Sequence, residues 1–117
     1  VSASKFDAAL ELVTHVPGVR GAMLVSASDG VVVAEALMDE MKGSAVAALA
    51  ASLASRLRRA AEGAGRGAPR FVHLTATGGT LLAAPLGDDL LLVTVAERSV
   101  NAGLARLEMF RALEILG

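Results

Sequence analysis

Apolar residues near the start of the chain recur at three- and four-residue spacing, so that Phe6, Ala9, Leu10 and Val13 share one face of a helix. Ser4, with Asp7 three positions on, has the spacing of a capping box, and Pro17-Gly18 ends the helix. From Arg20 to Ala27 the pattern changes to a nearly continuous apolar run. Ser28-Asp29-Gly30 supplies turn chemistry, and Val31 to Ala34 resumes with β-branched residues. This is a hairpin. Neither arm alternates between apolar and polar, which predicts a sheet covered on both faces at its centre.

A loop around Met38-Asp39-Glu40 leads into the longest helix, expected from about Met41 to Glu62, free of proline and dominated by Ala and Leu. Two rows run along it. Val46, Leu49, Leu53, Leu57 and Ala60 form an apolar ridge expected to lie on the sheet. Ala48, Ala51, Ser52 and Ser55, followed by Arg59, form a small-residue row that lets another backbone approach. Gly63 to Pro69 terminates the helix. Phe71 to Thr75, Leu81 to Leu86 and Leu90 to Ala96 then read as three strands separated by turns at Gly78-Gly79 and Gly87-Asp88-Asp89. Ser99 is the expected N-cap of a last helix bearing Val100, Leu104, Leu107, Phe110 and Leu113. The order is α-β-β-α-β-β-β-α, an α/β (α+β) chain forming a single domain over residues 1–117, without internal repeats.

Composition changes this picture in one respect. Hydrophobic residues make up 54% of the chain and aromatics only 3%, and the mean hydropathy is +0.57. That is more apolar surface than a 117-residue monomer needs to bury, which points to a partner interface. A formal charge of −1 supplies no global field for nucleic acid or anionic lipid. The absence of cysteine excludes disulfides and fits a reducing, cytoplasmic setting. The start lacks the pattern of a signal peptide, and Gly43 to Ser55, the longest charge-free helical stretch, is too short to span a bilayer. No nucleic-acid or membrane partner is expected.

Candidate chemistry is sparse. His15 and His73 are far apart in sequence and have no cysteine beside them, so no metal site is expected. His15 suits a helix C-terminus and His73 an edge strand. Gly63, Gly65 and Gly67 follow a helix and lead into a strand, whereas phosphate-binding glycine loops open a helix. Asp88-Asp89 are turn formers, and no Gly-x-Ser-x-Gly elbow presents a serine nucleophile. No catalytic residue, cofactor or metal is therefore assigned. Arg56, Arg58 and Arg59 with Arg66 can offset the helix dipole or form a basic rim for acidic groups of a docked protein.

The element order resembles the roadblock family, named for a dynein light chain and including bacterial gliding-type partners of Ras-like GTPases. Three stretches carry the likeness: Pro17 to Ala22 before Leu24-Val25 with Asp29 to Ala34; Leu82 to Val93; and Asn101 to Leu107. The resemblance implies one antiparallel five-stranded sheet with the long helix on one face and the terminal helices on the other. It also implies a dimer, with itself or with a related roadblock protein, whose long helices pair while strands near Phe71, His73 and Thr75 meet edge to edge. The small-residue row of Ala48, Ala51, Ser52 and Ser55 is the long helix's expected share of that interface. The resulting expectation is a non-enzymatic interaction module for a Ras-like small GTPase that docks through Ser52, Ser55, Arg56 and Arg59. A profilin-like or GAF-like small-molecule sensor and a structural subunit of a larger complex are the competing readings.

Overall fold

The computed structural model describes residues 2–38 and 40–117, with the side chains of residues 2–4 outside that description. Asp39 of the expected loop and the Ser4 side chain of the expected capping box therefore lie outside the described residues. The elements are α1 (Ser2–Thr14), β1 (Val19–Ser26), β2 (Val32–Leu37), α2 (Gly43–Gly63), β3 (Val72–Ala76), β4 (Gly79–Leu86), β5 (Leu90–Ala96) and α3 (Ala102–Leu116). All eight expected elements are present in the expected order. The five strands form one antiparallel sheet in the order β2-β1-β5-β4-β3. The two central strands, β1 and β5, are almost entirely buried, as their uninterrupted apolar runs require.

The strand periodicity of two divides the core. Ala22 and Leu24 of β1, Leu82 and Ala84 of β4, and Leu92 and Ala96 of β5 point to the layer of α1 and α3, where Leu10, Val13, Met109 and Ala112 meet them. Met23 and Val25 of β1, Ala83 of β4, and Leu91 and Val93 of β5 point the other way, toward α2. Within the first layer Thr94 is fully buried, and its hydroxyl oxygen has no hydrogen-bond partner among the described residues.

Two local expectations are corrected. The last helix is capped by Asn101, not Ser99: the Asn101 side-chain oxygen accepts the Leu104 backbone N–H at 3.0 Å, and Ser99 sits in the preceding turn. The larger correction concerns α2. Its buried residues are Gly43, Ala47, Ala50 and Ala51, so alanines rather than the leucine ridge lie on the sheet. Leu49 is 72% exposed, Leu53 and Leu57 are half-buried, and Ala60 is exposed. Alanine brings the helix backbone close to the strands, leaving no depth for leucine beneath it. Gly43 permits the same close entry, because a Cβ there would strike the Glu35 carboxylate and the Leu37 side chain of β2.

Candidate functional site

Two shoulders of α2 flank its buried alanine stripe. At 3.6 residues per turn, Leu49, Leu53 and Ala60 project from one, and Ala48, Ser52, Ser55 and Arg59 from the other. The second shoulder forms a wall of a groove of about 620 Å³. Val72, Pro85, Leu90 and Leu91 form an apolar surface inside it, and the β1–β2 and β4–β5 turns close one end. The sequence builds this end firmly. Gly30, at a φ of +72°, seats its turn so closely on α2 that an added Cβ would lie 3.0 Å from the Cα of Ala48. The two turns are joined by the Ala27 N–H donating to the Asp89 carbonyl at 2.8 Å.

The electrostatics of the groove are one-sided. Arg56, Arg58 and Arg59 stand on the helix wall, while Asp29 and Asp88 stand on the turns. Asp29 is already committed to its own turn. A hydrogen bond from the Ser26 hydroxyl and then the Val31 N–H, at 3.2 Å, hold its carboxyl below the usual carboxylate range. None of the three arginines forms an ion pair among the described residues.

The four expected docking residues, Ser52, Ser55, Arg56 and Arg59, come together along this one groove. The seven residues expected at a dimer interface do not share a surface. Ala48, Ala51, Ser52 and Ser55 all line the groove, and Ala51, only 7% exposed, packs on the sheet at its floor. His73 and Thr75 are exposed on β3, an edge strand that pairs only with β4. Phe71 is half-buried just before it, 5.7 Å from the Phe110 ring, with the Arg106 guanidinium over both rings. Sequence reasoning missed Leu49 and Leu74, which are exposed on the α2 side of the sheet; Leu74 is 46% exposed. The Leu ridge signal was visible, but its direction was misassigned.

Elsewhere the chemistry is structural. The His15 ring nitrogen Nδ1 lies 2.7 Å from the Glu11 carbonyl just beyond the end of α1. Among the described residues no group of three or more His, Asp or Glu side chains is placed to hold a metal ion. A second, shallower groove runs between α1 and α3, lined by Leu12, His15, Leu104, Glu108 and Ile115. Among the described residues no helix is long and apolar enough to cross a membrane.

A five-stranded antiparallel sheet between one long helix and two terminal helices, with an open edge and a charged groove beside the long helix, defines a three-layer α/β domain. The chain belongs to the Roadblock/LC7 domain family, whose model matches residues 5–96. A Roadblock/LC7 domain from Streptomyces avermitilis is 28% identical, with a TM-score of 0.83 over 92% of this chain and 91% of that one. Myxococcus xanthus MglB is 19% identical, with a TM-score of 0.87 over 99% and 94% of the two chains. An MglB with a tetrameric arrangement is 23% identical, with a TM-score of 0.86 over 97% and 85%. No curated protein matches the chain in sequence comparison.

Proposed function

We propose that the chain is a non-catalytic roadblock module that dimerises and, as a dimer, binds and regulates a Ras-like small GTPase. The observation that carries the dimer is the apolar surface left open on the α2 side of the sheet, together with an unpaired edge strand. The Leu49 side chain is 72% exposed and Leu74 46% exposed, and β3 offers a row of free backbone groups next to Leu74. Edge strands with exposed apolar neighbours bind further strands unless they are guarded. β2, the other edge, carries such a guard, a register shift where Leu24 and Val25 of β1 meet Ala34 and Val32. The β3 ladder runs from Val72 to Ala76 without a shift.

In this reading Phe71, His73 and Thr75 stay at the dimer interface. The leucine shoulder of α2 replaces the small-residue row there, and the groove shoulder remains free for the GTPase. The likeness to an MglB with a tetrameric arrangement supports self-association, and membership of the Roadblock/LC7 family supports the GTPase as the class of partner. In this reading regulation works by placing the GTPase's own residues, in keeping with the lack of a metal-binding cluster among the described residues.

A direct test is calorimetric titration of the purified dimer with Ras-like GTPases from the same source, loaded with GDP or with a non-hydrolysable GTP analogue. Nucleotide-dependent binding of one of them is the expected result. Retention of none of them, in either nucleotide state, would remove the GTPase from the account and leave an interaction module for another protein.

A further inference from the structure

The stretch from Arg56 to Arg70 contains five arginines, one glutamate and no lysine, a local charge of +4 in a chain of net −1. The remaining 102 residues therefore carry −5. Offsetting the helix dipole does not account for this, because that effect fades within the last turn, where α2 carries no basic residue. Arg66 and Arg70 lie beyond the end of α2. None of the five arginines is ion-paired among the described residues, and all are exposed. Three of them stand on one wall of the groove, above Val72, Pro85 and Leu91.

We infer that this groove holds an acidic segment of the partner protein, with one bulky apolar side chain inserted between α2 and the β4–β5 turn and with carboxylates directed at Arg56, Arg58 and Arg59. The inference rests on the docking reading above only for the source of the segment. The small residues Ala48, Ser52 and Ser55 leave room for the apolar anchor, and unpaired arginines at the rim are the complement of carboxylates. The opposite wall sets the orientation. Asp29 and Asp88 repel carboxylates from the turns, so the segment must place its acids on one side only. A polyanion with charge on every side, such as a nucleic acid, would meet those aspartates and the −5 carried by the rest of the chain.

The test uses the intact protein and a labelled, end-blocked peptide with a central leucine flanked by aspartates and glutamates, followed by fluorescence anisotropy. Three controls are a peptide with lysines in place of the acids, one with glycine in place of leucine, and a single-stranded oligonucleotide. The acidic, leucine-bearing peptide is expected to bind, and to weaken roughly tenfold in Arg59→Glu, with most of the loss removed by high salt. Ser55→Trp, which fills the groove without changing its charge, should abolish binding while light scattering and circular dichroism stay unchanged. Leu104→Gln, in the α1–α3 groove, should have no effect. The inference is overturned if the lysine peptide or the oligonucleotide binds as well, if the glycine peptide binds equally, or if Arg59→Glu and Ser55→Trp leave binding intact. Peptide binding without GTPase binding would sink the GTPase reading alone; a GTPase that binds Ser55→Trp as tightly as the wild type would sink the groove assignment alone.

Discussion

The two faces of the sheet are closed by different means. On one, α1 and α3 bring Leu10, Val13, Val16 and Met109 down between the strands, and large side chains from both layers fill the space. On the other, α2 lies on the sheet through Ala47, Ala50 and Ala51, and turns Leu49 outward. A helix seated on alanine cannot bury leucine beneath itself. The first face is a finished core, whereas the second leaves leucines exposed and the β3 edge open, and on the proposed reading a second copy completes it. On the same reading the groove on the far shoulder of α2 is left for another partner.

Truncation should separate the two faces most sharply. Leu10→Ala or Met109→Ala leaves a cavity in the finished core and should cost about 3 kcal/mol in urea unfolding. Leu49→Ala should change unfolding of the isolated fold by less than about 0.5 kcal/mol, with its effect appearing instead as a weaker dimer. A comparable loss at both positions would mean that the α2 face is as closed as the other. Enlarging the close contact is the next probe. Ala50→Leu forces α2 away from the sheet and should destabilise the domain by about 2 kcal/mol.

A smaller effect, of opposite sign, is expected within the finished core. Thr94→Val removes a buried hydroxyl that has no partner among the described residues and keeps its shape, so thermal or urea unfolding should show a gain of about 1 kcal/mol. The smallest effect concerns the rim of the groove. The Asp29 carboxyl is depressed in the folded state by Ser26 and then Val31, so its contribution is present above the ordinary carboxylate pKa and is lost as pH falls through the folded value. Asp29→Asn should therefore lower stability slightly near neutral pH, leave it unchanged in acid and so flatten the acid limb of the profile, as urea unfolding across pH would show.

The elements were legible because each carries its own signal. Ser28-Asp29-Gly30 and Gly78-Gly79 mark turns, the unbroken runs of β1 and β5 mark buried strands, and the proline-free alanine tract marks α2. The facing of α2 was not legible from hydrophobicity alone. The Leu49–Leu53–Leu57 row has the stronger apolar signal, yet burial went to alanine, because closeness of approach decides which stripe of a helix meets a sheet. The exposed character of β3 had a trace in His73 and Thr75, polar residues in a short strand. The groove was legible only as its residues, Ser52, Ser55, Arg56 and Arg59. Its opposite wall comes from turns more than twenty residues away in sequence, and no local pattern joins them.

Sedimentation equilibrium of the wild type beside Leu49→Asp and Ser52→Arg tests the division of α2 into a pairing shoulder and a docking shoulder. The wild type and Ser52→Arg should both have twice the chain mass, and Leu49→Asp should be a monomer with unchanged helical content. A dimeric Leu49→Asp beside a monomeric Ser52→Arg would place the pairing surface on the small-residue shoulder and contradict the account.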